Sequence, residues 1–306
     1  MGRLYFTVGL PASGKSSYFE KIKEWHPDAV HISSDNIREE VFGDVNRQDK
    51  NAEVFKIMEQ RTYEVLSREG VCFYDATNLS AKRRIAFLKN MKARLKHRDN
   101  ISFTCLLFVP ILKECIERDK SRERTVGINV IMRMVKQFQP PHISEGWNSI
   151  QIVTPIRDNA WQETVAYIKT LIGFEHFNPH HTHSVGNHCL EARRYAEEHD
   201  FGEIVSKAAV LHDVGKKVTQ VFKNRKGDNT EDAHYYNHEN VSAYYCLANR
   251  WSSDDKKWLE ISNLIVWHMI YYNKEWEKAI HKLLDRYGSF FVKNLYNLHL
   301  CDENSH

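Results

Sequence analysis

Gly9-Leu-Pro-Ala-Ser-Gly14-Lys15-Ser16 stands directly behind the apolar run Leu4–Val8 and ahead of a helical stretch reaching about Trp25. Strand, glycine-bearing loop and helix in that order make an anion cradle. Glycines let the loop wrap tightly, backbone N–H groups point inward, and the helix adds its positive end. The expected contributors are Gly9, Ala12, Ser13, Gly14 and Ser17 on the phosphates, Lys15 on the β- and γ-phosphates, and Ser16 on Mg²⁺, so ATP and Mg²⁺ are the expected cofactors. A carboxylate at the end of the next strand, in Ser33-Ser34-Asp35, is placed either to accept a proton from an acceptor hydroxyl or to cap the helix Asn36–Val41. Arg38, one turn on, reads as a contact to an acceptor phosphate or as part of a solvated face. Asp75, in Asp75-Ala-Thr-Asn78, would support Mg²⁺ through Ser16 or water, or cap a loop. Arg118 and Arg122, four apart in Arg118-Asp-Lys-Ser-Arg122-Glu-Arg124, are expected on one helix face, as a γ-phosphate clamp or an ordinary charged helix end.

A second constellation lies downstream. His212-Asp213-Val-Gly-Lys216 follows the apolar run Ala208–Leu211, with His188 before it and His238, His268 and Asp302 after it. An adjacent His and Asp can both ligate one metal, the Asp bridging where two are held. Imidazole with carboxylate suits first-row divalent ions with open coordination positions: Mn²⁺, Fe, Co²⁺ or Ni²⁺. The first ligand is ambiguous, because His180, His181 and His183 compete with His188. We take His188, whose helix leads to His212 by ordinary spacing, and leave His181 or His183 as phosphate-contacting or supporting groups. Lys216 is placed to meet a substrate phosphate oxygen.

The elements that must carry these residues differ between the halves. Leu4–Val8, Val30–Ser33, Val71–Tyr74, Ile101–Val109 and Ser149–Val153 read as strands, with helices at 15–25, 51–68, 112–121 and 129–138 and a strongly basic helix after Asn78. The basic helix reads as a solvated face or a source of phosphate contacts. Alternating strands and helices predict a parallel sheet with helices on both faces. Beyond Thr154–Asn159 no strand is evident, and helical patterns run over 160–171, 186–198, 204–211, 238–249 and 256–268, with two more past Trp276. Lys223–Asp232 reads as a polar, mobile loop.

A length of 306 residues fits two domains, here 1–155 and 160–306. A net charge of +3 excludes a general polycation, so nucleic-acid affinity needs a local basic surface. The six cysteines form no CxxC pair and read as buried thiols of a reducing compartment. Without a signal-like start or an apolar run of about 20 residues, a soluble, cytoplasmic protein is expected.

The ordered set GxxxxGKS, SSD-xx-R, DATN and C-xx-R-xxx-R before a Phe…Pro-Pro ending resembles the phage-type polynucleotide 5′-kinase family over residues 1–153. The resemblance implies Asp35 as general base for the 5′-hydroxyl, Arg38 as acceptor contact, and lid arginines, Arg122 above all with Arg118, on the transferring phosphoryl group. Residues 160–306 resemble the HD phosphohydrolase superfamily. That implies an all-α HD-type domain in which His188, His212, Asp213 and Asp302 bind one metal and His238 and His268 serve a second. Together the halves look like a bifunctional polynucleotide kinase-phosphatase. It would phosphorylate 5′-OH ends and clear 2′,3′-cyclic or 3′-phosphate ends, leaving nucleic-acid ends, RNA or DNA, for a ligase. The alternatives are a small-molecule kinase fused to an HD nucleotidase or phosphodiesterase, and a regulator in which ATP binding switches the HD domain.

Overall fold

The structure, a computed structural model, describes residues 1–98, 100–177 and 183–305. The chain divides into two compact units: Met1–Ile131 with Pro141–Thr154, and Met132–Pro140 with the chain from Pro155 onward.

The first unit is a parallel α/β P-loop domain. Its strands β1 (Gly2–Gly9), β2 (Val30–Ser33), β3 (Val71–Asp75), β4 (Ile101–Phe108) and β5 (Ser149–Ile152) stand in the order β2-β3-β1-β4-β5, all parallel. The helices are α1 (Lys15–Trp25), α2 (Ser34–Phe42), α3 (Asn51–Ser67), α4 (Ala81–Arg94), α5 (Leu112–Lys120) and α6 (Ile128–Val135), the last crossing the division at Met132. Alternation along β1 shows why both faces are covered. Tyr5 packs with Phe73 against Phe19 and Ile22 of α1. Phe6, the next residue, stacks on Tyr74 at 4.7 Å and meets Phe87 of α4 and Trp147 at 4.9 and 5.1 Å.

The second unit contains α7 (Ala160–Leu171), α8 (Val185–Glu198), α9 (Glu203–Leu211), α10 (Lys216–Thr219), α11 (His238–Ala248), α12 (Asp255–Trp267), α13 (Trp276–Tyr287) and α14 (Ser289–Glu303). The α9 helix is central, lying against α8, α12 and α14. Trp258 and Tyr244 are among the largest buried side chains. The all-α expectation is corrected here. Val221–Lys223 (β6) and Asn229–His234 (β7) pair as an antiparallel hairpin, where the sequence suggested a mobile loop. Its turn is specified locally: Asn224 Oδ1 accepts from the N–H groups of Lys226 and Asp228, and Gly227 takes φ +96°. β6 is only three residues long and β7 is mostly polar with Ala233 alone buried, so the apolar alternation that announces a strand is missing. All six cysteines are free and buried. Among the described residues, no helix is long and apolar enough to cross a membrane.

Candidate functional site

In the first unit the loop after β1 turns through two left-handed residues, Ala12 (φ +60°) and Gly14 (φ +93°), and Gly14 caps α1. Such alternation turns successive N–H groups toward one concavity. Lys15 opens α1, is 8% exposed, and donates from Nζ to the Leu10 carbonyl at 2.6 Å. Burial lowers its pKa, the positive charge of Arg122 adding to that while Asp75 opposes it. Ser16 and Ser17 are exposed at the start of α1.

Asp75 ends β3, in register with Ser33 of β2. Burial alone would raise its pKa. Hydrogen bonds from His31, at 3.1 Å, and Ser16, with the charge of Lys15, hold it below the usual carboxylate value. The Ser16–Asp75 pair with Lys15 beside it has the composition of a Mg²⁺-nucleotide site. His31 is a contributor that the sequence reading missed; its signal is the strand position two residues before Ser33.

Asp35 does not cap α2, because Ser33 does, accepting from Asn36 N–H. Its side chain is 57% exposed, with Oδ1 accepting from Arg38 Nη1 at 2.8 Å and Oδ2 3.6 Å from Arg124 Nη1. Arg38 is 5% exposed and not on a solvated face; its Nη2 donates to Asn51 Oδ1 at 2.6 Å. Arg124 also donates to Val45 O and Asn46 Oδ1. The shared helix face expected for Arg118 and Arg122 is corrected. The α5 helix stops at Lys120, leaving Arg118 ion-paired with Glu114 at 2.6 Å and Arg122 in the following turn, on the side of Lys15. The helix stops because the buried Asp119 accepts from the N–H groups of Val126 and Gly127, folding the chain into α6. The basic helix α4 is likewise not uniformly solvated: Arg84 is fully buried against Glu145.

In the second unit the series sits at helix ends. His188 lies in the first turn of α8, His212 and Asp213 follow α9, His238 opens α11, His268 follows α12, and Asp302 lies in the last turn of α14. All six are buried. His188 Nε2 is 3.1 Å from His212 Nε2 and 3.0 Å from Asp302 Oδ1, and both imidazoles are 3.4 Å from Asp213 Oδ2. On the other side Asp213 Oδ1 is 3.1 Å from His238 Nε2 and 3.8 Å from His268 Nε2, which are 3.2 Å apart. The Nδ1 atoms are held away from the centre: His212 on Ala209 O at 2.6 Å, His268 on Ile265 O at 2.6 Å, His238 on Tyr235 O at 2.8 Å, and His188 on Ser305 O at 3.1 Å. Two of these carbonyls belong to helix C-termini, where acceptors lack intrahelical partners. A backbone carbonyl can only accept, so each Nδ1 carries the proton and each Nε2 presents a lone pair inward.

Lone pairs at 3.1–3.2 Å repel unless a cation lies between them. Ligand atoms about 2.0–2.2 Å from one ion are separated by roughly 3–3.5 Å, so the donor set fits divalent ions. His188, His212, Asp213 and Asp302 form one group, and Asp213, His238 and His268 the other, with the two Asp213 oxygens divided between them. Burial would raise the Asp213 pKa, yet the charge of Lys216 holds it well below the ordinary value. Lys216 Nζ is 2.5 Å from Asp213 Oδ2 and 3.4 Å from Nδ1 of the buried His176. His176 lies in an irregular segment, which gave it no sequence signal. Gly215 allows the closure: a Cβ there would stand 2.4 Å from the His238 carbonyl oxygen. Of the competing histidines, His183 is not among the convergent groups, and His180 and His181 lie outside the described residues.

Residues 4–141, just under half of the chain, match the model of an AAA domain family. None of the curated proteins matches the chain. Among solved structures, a crystal structure of a fungal RNA kinase is similar to 57% of this chain and 86% of its own, at 16% identity and a TM-score of 0.40. Neither fold nor chemistry is transferred at that similarity.

Proposed function

We propose that the chain heals nucleic-acid ends, phosphorylating a 5′-hydroxyl from ATP in the first unit and hydrolysing a terminal 2′,3′-cyclic or 3′-phosphate in the second. The observation that carries the reading is the division of Asp213 between two imidazole sets, supported on the kinase side by Asp35 set one strand from the Ser16–Asp75 pair. On one small molecule the two activities would cancel. On two ends of a broken strand they complement each other.

Lys15 and the loop N–H groups bind the β- and γ-phosphates, and Ser16 and Asp75 hold Mg²⁺. Asp35 accepts the proton of the attacking hydroxyl; its ion pair with Arg38 orients the carboxylate. Arg122 neutralises charge on the transferring group, and Arg118 is the further lid candidate. In the HD-type unit His188, His212, Asp213 and Asp302 would hold one divalent ion, and His238 and His268 with Asp213 a second. Such a pair supplies water activation and charge neutralisation at phosphorus. Lys216 binds a phosphate oxygen beside Asp213.

Separated variants test the reading on a 5′-OH, 3′-phosphate oligonucleotide. Lys15→Ala should abolish the 5′-phosphate gain and leave 3′-phosphate loss, and Asp213→Asn should do the reverse. Failure of the wild type to change either end, while it consumes ATP with a nucleoside acceptor, would overturn the polynucleotide reading.

A further inference from the structure

The segment after α12 runs His268–Tyr272 as a 3₁₀ turn, so a metal-site histidine and two tyrosines share one short element. Opposite it, His299 and Asp302 lie three apart on α14, on one helix face. Tyr272 links the two, donating its hydroxyl to Asp302 Oδ2 at 2.9 Å while its ring meets His299 edge-on at 5.3 Å. Beyond His299 opens a groove of about 610 Å³ lined by Tyr271, Trp276, Lys293 and Tyr296. Tyr271 stacks on His299 at 4.6 Å, meets Trp276 at 5.5 Å with tilted planes and meets Tyr296 edge-on at 5.8 Å.

Ordinary core packing does not account for these rings. The inward face of α14 is filled by Phe291, Leu295 and Leu298, all buried, whereas Trp276 and Tyr296 remain 39% and 50% exposed. Lys293, one turn before Tyr296, is exposed and has no ion-pair partner among the described residues. Exposed aromatic faces beside a cation bind nucleotides by stacking and by charge, without a base-specific code.

We infer that this groove is a base-stacking subsite for the nucleotide whose terminal phosphate is hydrolysed at the His/Asp centre, with Lys293 on the neighbouring phosphodiester. The inference rests on the hydrolase reading. It follows from continuity: Tyr271, Lys293 and Tyr296 stand on the same 3₁₀ turn and the same helix that carry His268 and Asp302, Trp276 of α13 adds a further wall, and Tyr272 joins Asp302 to His299 at the groove.

The test compares two 3′-phosphate oligonucleotides with the Mn²⁺-loaded protein, one ending in adenosine and one with an abasic terminal sugar. Trp276→Ala and Tyr296→Ala should each raise KM for the adenosine substrate roughly 5- to 100-fold with kcat retained, and leave the abasic substrate unaffected. Trp276→Phe, which keeps a π-face, should restore most of the loss. Equal KM values for both substrates in wild type and variants would overturn the subsite and leave the hydrolase reading standing. Hydrolysis of neither substrate would overturn both.

Discussion

Glu145→Gln tests how the first unit holds the segment behind Asp75. Arg84 and Glu145 have fully buried side chains and meet through two hydrogen bonds, Nε to Oε2 at 2.8 Å and Nη2 to Oε1 at 2.7 Å. Trp147 Nε1 adds a third to Oε2 at 3.0 Å, and Arg84 Nη1 donates to the carbonyls of Asn78 and Leu79 at 3.0 Å. Neutralising Glu145 leaves a guanidinium in the core without its counter-charge, at a cost of about 3–5 kcal/mol. At about 2–4 °C per kcal/mol for a unit of this size, calorimetry should show its transition roughly 6–20 °C lower. Replacing both partners by apolar groups, Arg84→Met with Glu145→Leu, removes the stranded charge and should recover most of the loss. Lys82→Ala, on the exposed face of the same helix, should stay within about 0.5 kcal/mol of wild type. A Glu145→Gln transition within 2 °C of wild type would refute the reasoning.

Asp35→Asn should slow phosphoryl transfer by roughly 10²–10⁴-fold while ATP affinity, read with a fluorescent analogue, stays unchanged; a matching fall in affinity would remove Asp35 from the proton-transfer role. Gly215→Ala must push its new Cβ away from the His238 carbonyl oxygen 2.4 Å distant, so the His238–His268 set should lose its metal, read by elemental analysis, before the His188–His212 set does. Metal binding requires neutral imidazoles, so protons compete. As pH falls from 7.5 to 5 the second unit should release its metal and its hydrolase activity should fall, while ATP binding at the loop of Lys15 persists. Hydrolysis undiminished at pH 5 in the presence of a chelator would exclude a role for the metals.

Both candidate sites could be proposed from sequence where their residues follow one another or repeat a recognisable series. The loop from Gly9 to Ser16 is contiguous, so its strand–loop–helix context can be read directly. Apart from the adjacent His212 and Asp213, the six His and Asp residues are far apart in the chain, but each carries a chemistry that an ordinary helix core does not need. What sequence hid was pairing across distance. Arg84 reads as one cation among many in a basic helix, and its partner stands 61 residues away. For Arg38 the sequence left an acceptor contact and a solvated face both open, because Asn51, which accepts from its Nη2, stands 13 residues on at the start of α3. Asp119 hid the break between Arg118 and Arg122, because its role is to accept from N–H groups seven and eight residues on. The β6–β7 hairpin went unread because β6 is only three residues long and β7 is mostly polar with Ala233 alone buried, too little to set an alternation.

The most direct measurement is mass spectrometry of one RNA oligonucleotide carrying a 5′-hydroxyl and a 2′,3′-cyclic phosphate, after incubation with the protein, ATP, Mg²⁺ and Mn²⁺. The account requires a product that has gained a 5′-phosphate and lost its 3′-terminal phosphate. An oligonucleotide unchanged at both ends, from protein that still consumes ATP or hydrolyses simple phosphate esters, would contradict it.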